Sequence, residues 1–170
     1  MKKGKIFFDL HRFKKVIFCS EDFKCSPYDN NDLTEPKVSR GRFRCNITNC
    51  IICPLLDSTK YDCTVRGCIY KVTCISCCMF YVGETYREVR DRLLEHRRAA
   101  ISPANYPEEA LAEHYKNRHP GCSANLKFEI LDRANGTVRR KILESHYIFK
   151  LKPEINNKDE CKLLERFLVK

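Results

Sequence analysis

The clearest signal along the chain is a change of hydrophobic period between Gly67 and Ala99. In "CIYKVTC" the pattern alternates, setting Cys68, Tyr70, Val72 and Cys74 on one face and Ile69 on the other. A period of two predicts a half-buried strand. "MFYVGE" follows as a second strand, and the short link between them predicts a hairpin. The period then lengthens. "YREVRDRLLEHRRAA" places Val89, Leu93 and His96 on one side and arginines on the others, the pattern of an amphipathic helix. "PEEALAEHYKNRH" predicts a second helix, with Pro107 in its first turn and Glu108 and Glu109 at the positive end of its dipole. Pro120-Gly121 stops it. "LKFEILD" reads as a third strand, with Leu126, Phe128 and Ile130 facing one way. Asn135-Gly136 makes a turn, and Thr137 is placed to cap a helix running to about Leu151, ahead of Pro153.

These elements predict an α/β fold over residues 67–157: a small, mostly antiparallel three-stranded sheet flanked by helices, in the order β-β-α-α-β-α. Residues 1–40 are basic and then polar, and "SPYDNNDLTEPKVSRG" reads as a loop or linker. Residues 41–66 are Cys-rich with little periodicity, which suits a segment folded around a metal rather than a core. Residues 158–170 end in "ECKLLERFLVK", a candidate amphipathic helix using Leu164, Phe167 and Leu168.

Charge narrows the class of partner. The chain carries 32 Lys and Arg against 22 Asp and Glu, a formal net charge of +10. Such a balance favours polyanions, with nucleic acid ahead of an anionic membrane surface. No apolar run approaches the roughly 18 residues of a membrane span, and "MKKGKIFFDLHRFKK" lacks the apolar core of a secretory signal. The expectation is an intracellular protein with a nucleic-acid partner, without a membrane or a small-molecule substrate as partner. In a reducing compartment, clustered cysteines indicate metal more often than disulfides. Of the 12 cysteines, Cys45, Cys50, Cys53, Cys63, Cys68, Cys74, Cys77 and Cys78 crowd together. Cys19, Cys25, Cys122 and Cys161 are scattered and receive no ligand role.

Two ligand sets emerge. Cys74-x2-Cys77 lies in the hairpin and His114-x4-His119 ends the second helix, a complete tetrahedral zinc set. The gap between the pairs is too long for a small DNA-reading finger, so the set reads as a staple between hairpin and helix. Cys78 competes as a thiol but should point to the other side of Cys77. The second set is Cys45-x4-Cys50-x2-Cys53, with Cys63 the nearest fourth ligand and Cys68 an alternative.

A second constellation points to chemistry. Tyr70 and Tyr81 lie on adjacent strands, and Gly83 allows close approach of a ligand. Arg92 and His96 are spaced i,i+4 and project from one helix face. Glu144 shares a stripe with Ile148 and Leu151, and a half-buried carboxylate needs a partner. Single tyrosines or a lone arginine are ordinary strand and helix residues; together, on a basic chain, the five suit metal-assisted phosphodiester cleavage.

These residues resemble the GIY-YIG nuclease family. Cys68-Ile69-Tyr70 matches its first motif and Tyr81-Val82-Gly83 its second. Arg92 and His96 fall where the family's helix carries Arg and His, Glu144 where it keeps one metal-binding carboxylate, and Asn156 near a frequent late Asn. The resemblance spans roughly Gly67 to Asn157. The string C-x2-C-x3-YVGET-x-R-x4-R-x3-H, with "LAEHYKNRH" and "ESHYIFKLKPEIN", is similar to the endonuclease domain of Penelope-like retroelements. Two departures stand out: Cys68 replaces the Gly of the first motif, and no Tyr-x-Asp-Asp polymerase motif is present.

The resemblance implies a DNA endonuclease that nicks target DNA, either as a domain of a retroelement with a reverse transcriptase domain on a longer parent chain as a partner, or as a stand-alone descendant. It implies that Tyr70 or Tyr81 activates or orients water, Arg92 binds the scissile phosphate, and His96 assists proton transfer or holds a tyrosine. Glu144 would hold catalytic Mg²⁺ (or Mn²⁺), with Asn156 in support, while Zn²⁺ stays structural. Arg87, Arg90, Arg97 and Arg98 would add DNA contacts from the same helix. The alternatives are a catalytically inactive, zinc-containing nucleic-acid-binding module and, less in keeping with the spacings, a secreted disulfide-rich protein.

Overall fold

The alternating stretch forms the centre of a mixed sheet in the computed structural model, which describes residues 45–156. The N-terminal segment 1–40 and the C-terminal helix expected over 158–170 lie outside the described residues. Four strands are present: β1 (Leu56–Asp57), β2 (Arg66–Cys74), β3 (Phe80–Glu88) and β4 (Leu126–Arg133), in the spatial order β1-β4-β2-β3. β2 pairs antiparallel with both neighbours, placing Tyr70 opposite Gly83 on one side and Ile130 on the other. The expected three-stranded sheet is therefore corrected to four. The additional strand is only two residues long, too short for any periodicity to show, and joins β4 in parallel through Leu56 and Asp57.

That strand also corrects the picture of the Cys-rich segment. Ile52 and Cys63 are fully buried in the same core as Tyr70, Val72, Leu126 and Phe128. The segment is thus part of the main core as well as a cysteine cluster. It does one further job. α1 (Val89–Ile101) has no side-chain cap on its first turn. The N–H groups of Val89 and Arg90 donate instead to the carbonyls of Val65 and Cys63, at 2.8 and 2.9 Å. Helix ends must find partners for such groups, and here the cysteine-bearing segment supplies them.

Other boundaries shift. Tyr86–Glu88, expected in the first helix, complete β3. α2 (Ala110–Arg118) begins three residues after Pro107, with Glu109 at its N-cap, so Glu108 and Glu109 do not form its first turn. α3 (Thr137–Leu151) is preceded by Gly136 at φ 88°, and Thr137 is a helical residue that caps nothing; its hydroxyl accepts from Arg140. At the start of β2, Gly67 takes φ 64° at a register shift, and a Cβ there would lie 3.0 Å from the Ala134 carbonyl oxygen.

The helices divide between the two faces. Val89 and Leu93 of α1 and Leu111 and Tyr115 of α2 pack on the face that carries Cys68, Tyr70, Val72 and Cys74. α3 covers the opposite face through Ile148, against Ile69 and Val82. β3 is an edge strand, and its outer side is closed by Asn156, whose amide both accepts from the Val82 N–H and donates to its carbonyl at 2.8 Å. Edges left open invite pairing with other chains. Under the sheet, Arg140 of α3 donates to Glu84 of β3 at 2.8 Å, with the two side chains only 7% and 19% exposed.

Removing one member of that pair leaves the other charge buried without its partner. Arg140→Ala should destabilise the zinc-loaded protein by about 3 kcal/mol, read as a lower urea midpoint. The Arg140→Ala, Glu84→Ala double variant should lose less than the sum of the single losses; additive losses would show that the pair does not couple.

Candidate functional site

Tyr70 projects from the middle of β2 and is 1% exposed, so its hydroxyl must be satisfied inside the protein. α1 does this with two side chains one turn apart. His96 Nε2 lies 2.8 Å from the Tyr70 hydroxyl, and Arg92 Nε donates to the same oxygen at 3.3 Å. The i,i+4 spacing read from the sequence is what lets both reach one atom. Burial pushes the Tyr70 hydroxyl well above its usual range, with the neighbouring Tyr81 and Glu144 adding to the shift and Arg92 opposing it. His96 is 1% exposed, and burial, with Arg92 close by, lowers it to about 3. At neutral pH the ring is uncharged and able to accept a proton in a hydrogen bond.

Tyr81 completes an aromatic cluster. Its ring centroid lies 5.2 Å from that of His96 and 6.5 Å from that of Tyr70. Gly83 makes the cluster sterically feasible: a Cβ there would sit 2.6 Å from the Tyr70 hydroxyl oxygen and 2.7 Å from a Tyr81 ring carbon. The space a side chain would fill is taken by the two tyrosines, a different reason for glycine than ligand approach alone.

Glu144 is half-buried on α3, and its charge acts on the Tyr70 hydroxyl. The fold therefore brings Tyr70, Tyr81, Arg92 and His96 together from β2, β3 and α1, and Glu144 of α3 reaches the Tyr70 hydroxyl through its charge. Asn156 is placed differently. It holds the edge of β3 by its two bonds to Val82. The arginines expected on one basic helix also separate. Arg87 belongs to β3 and pairs with Glu95 at 2.8 Å. On α1, Arg90 and Arg97 are half-buried, and Arg98 alone of the four is exposed.

Two acidic residues at the site were not anticipated. Glu95 and Glu109 both accept from Arg92 Nη1, at 2.9 and 3.1 Å. Despite burial, which disfavours its charge, Arg92 is held above its usual range by Tyr70, Glu95 and Glu109. Glu95 lies i+3 from Arg92, a spacing that signals a helical ion pair. Glu109 lies 17 residues away, and only the packing of α2 on α1 reveals it.

The cysteines and histidines form two tight groups. Cys45, Cys50, Cys53 and Cys63 make one, and Cys74, Cys77, His114 and His119 the other, with ligand atoms in each group all within 4.8 Å of one another. Cys63, rather than Cys68, is the fourth member of the first; Cys68 is core, and burial pushes its thiol up to about 12. The spacings fit a tetrahedral ion. Bonds of about 2.3 Å to sulfur and about 2.0 Å to imidazole nitrogen give sulfur–sulfur edges of about 3.8 Å and sulfur–nitrogen edges of about 3.5 Å. The Cys50–Cys63 and Cys53–Cys45 sulfurs are 3.5 Å apart, and Cys74–His119 Nε2 and Cys77–His114 Nε2 are also 3.5 Å apart. Both groups could hold a metal such as zinc.

The protonation of the thiols is already uneven. Hydrogen bonds from Cys77, His114 and Tyr115 hold the Cys74 thiol down to about 3, while the bond to Cys74 pushes Cys77 up. In the other group, burial opposes ionisation of Cys50 but backbone N–H groups of Cys53 and Ile52 outweigh it, lowering the thiol to about 7; burial pushes Cys63 up. Each group thus favours one thiolate, the form that binds metal. Cys78 takes a left-handed backbone at φ 61° and is not one of the ligands. Cys78, the competing thiol, and Cys122, which received no ligand role, are disulfide-bonded.

Comparison with known proteins adds nothing to the geometry: no family model, curated protein or solved structure matches the chain.

Two outcomes test this site. Gly83→Ala should disorder the tyrosine pair, because the added methyl cannot fit without moving both rings; the aromatic ring signals of Tyr70 and Tyr81 should shift in NMR spectra, and unchanged signals would show that the rings yield freely. Purified protein should carry zinc at two equivalents per chain from the two four-residue groups. His114→Ala should retain one equivalent and melt at lower temperature, because metal binding and folding are linked.

Proposed function

We propose that the protein is a metal-dependent DNA endonuclease that hydrolyses phosphodiester bonds. The observation that carries this reading is the Tyr70 hydroxyl, buried and shared between a neutral His96 and the Arg92 guanidinium, with the Glu144 carboxylate nearby. A neutral imidazole can accept the phenol's hydrogen bond and so orient its oxygen, an arginine beside it can stabilise phosphate charge, and a carboxylate within electrostatic reach can hold a divalent cation.

In this reading Tyr70, or Tyr81 beside it, orients and activates the attacking water. His96 holds the Tyr70 proton. Arg92 trades its contact with Glu95 or Glu109 for a phosphate oxygen. Glu144 would hold Mg²⁺ or Mn²⁺, which when bound supplies Lewis-acid stabilisation to the leaving oxygen. The two Cys and Cys/His groups hold structural Zn²⁺. Net charge of +10 and the exposed Arg98 favour the DNA backbone as ligand. The resemblance to retroelement endonuclease domains supports a role in nicking target DNA, next to a reverse transcriptase activity on a longer chain, and hence a nuclear site of action.

The test is a supercoiled-plasmid nicking assay on zinc-loaded protein with Mg²⁺. Wild type should nick. Glu144→Ala should fall by at least about 100-fold while keeping its melting temperature, zinc content and DNA affinity. Equal nicking by the variant would dismiss Glu144 as the metal-holding residue. DNA binding without nicking by wild type would favour the inactive zinc-containing binding module.

A further inference from the structure

The carboxylate of Glu109 is close to both residues that hold Tyr70. Its Oε1 accepts from Arg92 Nη1 at 3.1 Å, and its Oε2 lies 3.6 Å from His96 Nδ1. That Nδ1 is buried and has no hydrogen-bond partner within ordinary reach. The imidazole therefore has one nitrogen on Tyr70 and the other facing a carboxylate.

The hydrogen-bond inventory fixes which nitrogen carries the proton. A guanidinium only donates, so the Tyr70 oxygen accepts from Arg92. The same oxygen could accept from an Nε2–H as well, but its own buried proton would then be left without this acceptor, so the short contact at 2.8 Å is assigned to the phenol donating to His96 Nε2. That makes Nε2 the acceptor and Nδ1 the N–H. The arrangement at Glu109 agrees independently. A bare Nδ1 lone pair facing a carboxylate would be a buried repulsion, whereas an N–H facing it is a favourable, charge-assisted approach. The groups around the ring are Tyr70, Tyr81, Arg92 and Glu109.

We infer that Glu109 is a positioning residue, which fixes His96 as the Nδ1–H tautomer and holds Arg92 in line, so that both side chains meet at the Tyr70 oxygen. Its role in catalysis rests on the nuclease reading; its effect on the histidine does not. The logic is that of a carboxylate behind a histidine, which sets the ring's tautomer without itself taking the proton. Glu109 stands at the N-cap of α2, the helix that bears His114. The helix that carries a candidate metal ligand thereby delivers a side chain to the candidate active site.

Glu109→Gln is the sharp variant. The amide has the same size and reach but only one acceptor oxygen. With that oxygen on Arg92, its NH₂ faces His96 and can only donate, which demands the opposite tautomer. The measurement is ¹⁵N NMR of the histidine ring nitrogens in zinc-loaded protein, with His96 signals identified by their loss in His96→Gln. Wild type should show Nδ1–H. Glu109→Gln should move most of the population to Nε2–H, with melting temperature and zinc content unchanged. If wild type is Nε2–H, or the variant keeps Nδ1–H, the inference is overturned. The nicking assay is read separately. In an active enzyme, Glu109→Gln should lower kcat by about 100-fold while KM for DNA stays level or falls, because a negative charge near the phosphate is gone. A tautomer switch in a protein that never nicks DNA would uphold the placement of Glu109 and sink the nuclease reading; a KM rise with unchanged kcat would sink the positioning role.

Discussion

A phenol hydroxyl buried in the core of a small sheet is costly unless it is hydrogen-bonded. Tyr70 is in that situation at the centre of β2, and the only way its oxygen is satisfied by both His96 and Arg92 is for α1 to lie across the sheet in one register. Sliding the helix by one residue would turn both side chains away. The same contact therefore orders the core, where Val89 and Leu93 pack beside it, and assembles the candidate active site. Gly83 belongs to this constraint too, because the strand opposite Tyr70 must be bare for the ring to fit.

A domain of this size buries a limited core, and metal-binding groups commonly supplement such cores. Here the two groups flank α1. The first is carried by the segment whose Val65 and Cys63 carbonyls accept from the helix N-terminus. The second joins the turn after β2 to α2, and α2 packs on α1 and presents Glu109 to Arg92 and His96. A cation at either group would stiffen the neighbourhood of the same helix. The soft sulfur and imidazole donors of both groups suit a metal such as zinc.

Electrostatics at the site are balanced more closely than net charge suggests. The chain is strongly basic, yet Arg92 faces two carboxylates and Arg87 pairs with one of them, Glu95. Half-buried arginines with such partners stay ordered, and in the proposed reading phosphate binding would be an exchange of one anion for another rather than capture by a free cation. The surface arginine Arg98 and the long-range field of the chain remain available for steering.

The sequence by itself determined the elements with several turns of consistent pattern: the alternation of β2, the amphipathic run of α1 and the spacing of Arg92 and His96. It also named the members of both groups, except for the choice of Cys63 over Cys68, because Cys-x2-Cys and His-x4-His are legible as short-range ligand pairs; that the two pairs meet across 37 to 45 residues was decided by the fold. It left Glu109, β1 and the placing of Asn156 undetermined. A two-residue strand has no period to read. Glu109 meets Arg92 only because α2 folds back on α1, and Asn156 meets Val82 only because the chain after α3 returns to the edge of β3. Tertiary structure likewise decided that the arginines divide between β3 and α1, and that Glu144, on the helix covering the opposite face, exerts its charge on Tyr70. Such contacts arise from the packing of whole elements, for which local sequence spacing carries no signal.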